Sequence, residues 1–165
     1  NSMRRKFGKI INELAKKDEK IVLIVGDIGY GIFDDFKKKN PKKFFNFGIC
    51  EQSIISCAAG MAIEGLKPWV YTITPFLIER PFEQIKLDID QQNLNVNLVG
   101  FADYPTLGPS HAELDAKKTM GLFKNIKSFF PKNSNETEKA VYKSYRRKGP
   151  SFISLKNDNS INKNW

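Results

Sequence analysis

Cysteine and histidine are scarce: the 165 residues include two cysteines, Cys50 and Cys57, and one histidine, His111. The thiols form neither a C-x-x-C pair nor a zinc-knuckle spacing, which excludes a dithiol redox motif, and both read as buried. No apolar run approaches the roughly 20 residues of a membrane-spanning helix. No signal-like stretch opens the chain either, so a cytoplasmic protein without a membrane partner is expected. Also missing are G-x-G-x-x-G, G-x-x-x-x-G-K-[ST] and G-x-S-x-G, and with them the residues for dinucleotide binding, a P-loop or a serine nucleophile elbow. His111 and Glu113 make an H-x-E fragment, but the P-C-x-x-C of a zinc deaminase does not follow, and no metal site is expected.

What is present suits one folded unit. Hydrophobic residues make up 41% of the chain and charged residues 27%, with 13 Phe, a composition that excludes disorder and collagen-like repeats. A chain of this length holds ~150 structured residues around one core; residues 3–156 are expected as the domain and 157–165 as a C-terminal tail. Asn1 and Ser2, ahead of Met3, read as residues added before the natural start. The formal net charge is +9, with local clusters at "FKKKNPKK" (36–43) and "YKSYRRKG" (142–149). No aromatic-basic repeat, zinc finger or RNA-binding motif accompanies them, so nucleic acid is not the expected partner. A solvated basic surface, or one facing an acidic partner, explains the charge.

Hydrophobic periodicity alternates helix and strand along the chain. Phe7, Ile10, Ile11 and Leu14 recur at helical spacing from about Arg4, and the five apolar residues of "IVLIV" make a strand buried on both faces. Further strands are predicted at 42–48, 66–74, 94–100, 126–130 and 150–156. Helices are predicted at 51–64, 75–93 (interrupted or restarted at Pro81), 112–123 and 134–149, the last capped by Ser134 or Asn135. The fold class is therefore α/β, a three-layer αβα arrangement with a mostly parallel sheet. Ligands bind such sheets at the carboxyl ends of the strands. Here that rule selects Asp27, Gly48 to Glu51, Thr72 to Phe76, and the loop from Tyr104 to His111.

Glu51 invites two readings. A carboxylate in the first turn of a helix interacts favourably with the helix dipole, which is a structural role. Its apolar neighbours Phe45, Phe47, Ile49, Ile54 and Ile55 also imply desolvation, which disfavours the charged form and suits a group that exchanges a proton with a ligand. His111, in a loop with prolines and a glycine, is either a structural imidazole or a catalytic one.

Four ordered stretches then carry a resemblance: "GICEQ", "AAGMAIEGLKP", "FLIERPFEQIKLD" and "GPSH". Together, across about residues 21–156, they resemble the pyrimidine-binding domain of the transketolase family, which includes 1-deoxyxylulose-5-phosphate synthases and split transketolase C-terminal subunits. The resemblance implies dependence on thiamine diphosphate. It places Glu51 against N1′ of the cofactor's aminopyrimidine, where a shared proton favours the imino form of the 4′ nitrogen that deprotonates C2 of the thiazolium. It gives Phe76 a stacking role on the aminopyrimidine, Asp27 of "GDIG" a place near the cofactor, and His111 a place lining the substrate channel, where it stabilises a developing alkoxide. Ser53, Ser56, Ala59 and Gly60 would permit the close helix crossing through which such domains self-associate. The family's acid before the glycine of its histidine loop is replaced by Leu107. The G-D-G…N motif for diphosphate and Mg2+ is missing, so the resemblance implies a separate diphosphate-binding subunit that holds Mg2+. The reading is a subunit that transfers a two-carbon ketol unit between sugar phosphates or related carbonyl compounds, a decarboxylating synthase being compatible with the same motifs. The alternative is a binding or regulatory module that kept the fold without the chemistry.

Overall fold

In the computed structural model, residues 2–102 and 104–157 are described. β1 (Ile21–Val25) is buried along its whole length because helices cover both of its faces. Ile21, Leu23 and Val25 join one core, Ile24 the other, which is the period-two alternation of a strand between two apolar layers. β2 (Phe44–Asn46), β3 (Lys67–Ile73), β4 (Asn97–Phe101), β5 (Lys127–Phe129) and β6 (Ser151–Leu155) complete a sheet of order β2-β1-β3-β4-β6-β5. Each neighbouring pair is parallel, as the alternation of helices and strands predicts.

The helices follow in chain order: α1 (Met3–Lys17), α2 (Asp34–Lys39), α3 (Glu51–Ile63), α4 (Thr74–Ile78), α5 (Phe82–Gln84), α6 (Ala116–Gly121) and α7 (Ser134–Arg146). On one face α1 contributes Phe7, Ile10, Ile11 and Leu14, α2 contributes Phe36, and α7 contributes Ala140 and Val141. Phe7, Phe33 and Tyr71 interlock there, with ring centroids 5.8 Å apart for Phe7–Phe33 and 4.8 Å for Phe33–Tyr71. On the other face α3 packs on β3 and contributes Ile54, Ile55, Ala58 and Ala59 to a core that also holds Val70, Leu98 and Phe152.

Several boundaries differ from the periodicity, each for a local reason. The helix expected over 75–93 is split: α4 stops at Ile78, and Pro81, which lacks an N–H, precedes α5. Residues Ile85–Asp90 then form a π-helical turn, closed by Gln91 N–H donating to the Lys86 carbonyl at 3.0 Å. α6 begins four residues later than expected because the Asp115 side chain caps it, accepting from Lys118 N. At α7 the cap is Asn133, whose Oδ1 accepts from Glu136 N at 2.9 Å, rather than Ser134 or Asn135. Ser2 caps α1 by accepting from Arg5 N. α2 falls in a stretch that reads only as a basic cluster; its sole buried residue is Phe36, too little apolar periodicity to announce a helix. The thiols are not fully buried as expected: Cys57 is on the exposed side of α3, and Cys50, at the N-cap of α3, is half-buried against the edge of the core. Of the expected tail at 157–165, residues 158–165 lie outside the described residues.

Asp90 explains how the π-helical turn is fixed. Its buried carboxylate accepts from Asn125 N at 2.7 Å and from Lys124 N and Ile126 N at 3.1 Å, tying the start of β5 to the preceding layer. Asp90→Ala leaves these donors without partners and is expected to cost about 3 kcal/mol, read as a lower denaturant midpoint with unchanged slope.

Candidate active site

From β1 the chain moves outward to β2 at the sheet edge and returns to β3 on the other side of β1. The loops leaving the carboxyl ends of β1 and β3 therefore diverge, and the crevice between them is where an open parallel sheet takes its ligand. Around Gly26, at the end of β1, the Gly48 carbonyl and the Thr72 hydroxyl lie 3.4 and 3.6 Å from the position of an added Cβ, so three strand ends meet there.

Asp27 follows with φ 53°, a left-handed conformation that Asp tolerates better than most residues. Its carboxylate accepts from Tyr30 Oη at 2.5 Å and Asn46 Nδ2 at 3.4 Å. The bond from Tyr30, then that from Asn46, holds the Asp27 carboxyl below its ordinary range, and the same bond raises the Tyr30 phenol. Asn46 Oδ1 in turn accepts from Asp27 N at 2.9 Å and Gly48 N at 3.1 Å, joining the turn after β1 to the loop that leads to Glu51. In that loop Gly48 adopts φ 77°, which a side chain would oppose, and the turn delivers Glu51 to the first position of α3.

Glu51 is 6% exposed. Ile54 and Ile55, three and four residues on along α3, are buried with it; Phe47 and Ile49, counted among its apolar neighbours, are themselves exposed. Glu51 Oε1 accepts from Arg80 Nη1 at 3.1 Å. The Arg80 guanidinium lies over the Phe76 ring, its carbon 3.6 Å from the ring centre. Phe76 meets His111 edge to face, with centroids 4.8 Å apart at 67°. Glu51, Arg80, Phe76 and His111 thus form one continuous wall. Beside it lies a cavity of ≈ 390 Å³ lined by Ile49, Cys50, Glu51, Gln52, Ser53 and Arg80.

The route from β3 into this wall depends on Gly100. A Cβ there would stand 2.5 Å from Thr74 Oγ1, so only glycine lets β4 approach the start of α4, which carries Phe76. Ser110 Oγ lies 3.1 Å from His111 Nδ1 and orients the imidazole. Not every candidate converges. Tyr104 turns the other way, toward α1, where its hydroxyl accepts from Arg4 Nη1 at 3.1 Å. Asp27 bonds with Tyr30 and Asn46 and is joined to the loop before Glu51 through Asn46, not to the wall itself. Of the small residues on α3, Ala59 is buried against the core, while Ser53, Ser56 and Gly60 are exposed.

Arg80 is the residue that sequence reasoning passes over. Its signal is the spacing Phe76-x-x-x-Arg80, which in a helical stretch stacks a cation on a ring. Its pairing with Glu51 joins residues distant in sequence and has no local signal.

The family described as "Transketolase, pyrimidine binding domain" matches residues 1–161. Among curated relatives, a subunit of the apulose-4-phosphate transketolase of Actinobacillus succinogenes is 37% identical over 123 residues, covering 73% of this chain and 40% of that protein. A 1-deoxy-D-xylulose-5-phosphate synthase of Marinomonas is 31% identical over 155 residues, covering 89% of this chain and 24% of the synthase. The chain therefore spans less than half the length of these relatives. Among solved structures, a split gene transketolase in the form of an inactive beta4 tetramer superimposes with a TM-score of 0.83 at 31% identity, covering 94% of this chain and 51% of that one. The fold, the ordered motifs and these matches agree that the chain belongs to the transketolase pyrimidine-binding domain family.

Proposed function

We propose that this chain is the pyrimidine-binding subunit of a split, thiamine-diphosphate-dependent transketolase-like enzyme, which moves a two-carbon ketol unit between sugar phosphates or related carbonyl compounds. The observation that carries the proposal is the buried Glu51 carboxylate at a helix start, opening on a cavity and sharing a wall with an aromatic ring and the sole histidine. The donor set fits an aminopyrimidine, with the Glu51 carboxylate for the edge of a planar base and the Phe76 ring for its face, both engaged by Arg80 in the ligand-free chain. Thiamine diphosphate, when bound, supplies a carbon nucleophile that makes and breaks bonds beside carbonyls.

This chain's residues prepare that chemistry. Glu51 holds a proton at N1′ and returns it, and burial keeps water from competing for that exchange. Phe76 orients the ring plane. His111, fixed by Ser110 and packed on Phe76, presents an imidazole to the substrate oxygen that gains charge. Asp27, held ionised by Tyr30 and Asn46, positions the turn beside the cofactor site. The diphosphate and Mg2+ fall to a separate subunit. That division is supported by two similar proteins, one a named subunit of a transketolase and the other the product of a split gene.

Mild affinity purification from the native cells, with mass identification and a thiamine diphosphate assay, tests the proposal. The expected result is a co-eluting chain with a G-D-G…N motif and cofactor only in the complex; recovery of this chain alone, cofactor-free, at salt that preserves weak complexes would support a module without chemistry. In that complex His111→Ala is expected to reduce kcat/KM about 100-fold with cofactor affinity retained. Loss of cofactor affinity instead would assign His111 to holding Phe76.

A further inference from the structure

Arg80 makes both of the contacts that the proposed function assigns to the aminopyrimidine. Its Nη1 donates to Glu51 Oε1 at 3.1 Å, and its planar guanidinium lies 3.6 Å from the centre of the Phe76 ring. A guanidinium and an aminopyrimidine edge are alike in the relevant chemistry: flat, delocalised, able to donate N–H to a carboxylate and to stack on a ring. We infer that Arg80 is a built-in placeholder for the aminopyrimidine, which the cofactor displaces on entering. The inference rests on the proposed reading of Glu51 and Phe76.

The surroundings of Arg80 suit such a role. Glu51 is 6% exposed, and a buried carboxylate without a partner is costly, so a resident cation stabilises the site in its binding geometry. The Arg80 side chain is 40% exposed and belongs to the turn between α4 and α5, so its head group can swing into solvent while both helices stay in place. The backbone is anchored independently, with Gln52 Nε2 donating to the Arg80 carbonyl at 3.4 Å. The cavity that Arg80 borders, ≈ 390 Å³, also lies against Glu51 and gives the displaced head group and an incoming ring room on the same side.

A placeholder has a thermodynamic signature. The ligand's apparent affinity is lowered by the fraction of molecules in which Arg80 stands aside, so removing the guanidinium raises affinity even though a contact has been deleted. A residue that merely packed the site would do the opposite.

The test is an NMR titration of thiamine into the full chain, following the Phe76 ring and the Glu51 amide. Arg80→Met, which keeps the stem and removes the head, is expected to bind thiamine about tenfold more tightly than the parent. Arg80→Lys, which keeps the charge without the flat face, is expected to fall between them and serves if the methionine variant does not fold. Glu51→Gln in the Arg80→Met background is expected to remove the gain. Equal or weaker binding by both Arg80 variants, or no binding by parent and variants alike, overturns the placeholder. Equal binding that is still lost on Glu51→Gln overturns the placeholder alone, whereas binding indifferent to both Glu51→Gln and Phe76→Ala overturns the reading of the site beneath it.

Discussion

Glu51→Gln lowers turnover of the assembled enzyme by about 100-fold or more, with the subunits still associated. The amide keeps the size and polarity of the carboxyl and retains a hydrogen bond, but it neither takes up nor returns a proton near neutral pH. Its acceptor oxygen can still face Arg80 in the cofactor-free subunit, so the wall formed with Phe76 and His111 is preserved, and at saturating cofactor the loss falls on the chemical step. The effect belongs in kcat with little change in substrate KM, the pattern of a contribution made at the transition state. Unchanged turnover would remove Glu51 from the proton path and leave it as a first-turn carboxylate balanced by Arg80 and the helix dipole.

Phe7→Ala carries the second large effect, about 3–5 kcal/mol of stability. Phe7 is fully buried on α1 and touches Phe33, Trp69 and Tyr71, at centroid distances of 5.8, 5.9 and 6.1 Å. Truncation opens a cavity between rigid rings that cannot collapse around it, and it loosens α1 from β3. A thermal midpoint lower by roughly 10 °C is expected for a chain of this size. A fall of only a degree or two would mean that α1 contributes little to the cooperative unit.

The residues behind these effects are unequally legible in the sequence. β1 is readable because helices cover both faces of the sheet, which forces an unbroken apolar run. The Phe7, Ile10, Ile11 and Leu14 stripe is readable because one face of α1 meets one face of that sheet. Asp90 is not: three backbone donors from a segment some 35 positions later give its carboxylate a purpose, and nothing local announces them. The π-helical turn is hidden for the same reason, since its residues keep a helical pattern while the backbone widens.

At the site, the strand-end rule locates Glu51, Phe76 and His111 on one wall, because sheet order alone brings those loops together. It fails for Tyr104, whose loop begins on the α1 side, where Arg4 and Phe101 hold its ring. The buried state expected for Glu51 is legible in Ile54 and Ile55; the cation that accompanies it is not, because Arg80 arrives from beyond α4.

The central claim is that this chain supplies half of a cofactor site. Calorimetric titration of thiamine diphosphate with Mg2+ into this chain, its co-eluting partner and their mixture tests it most directly. Saturable binding in the mixture, weakened by Glu51→Gln and far weaker in either chain alone, is the predicted result. Binding of equal strength by the partner without this chain would contradict it.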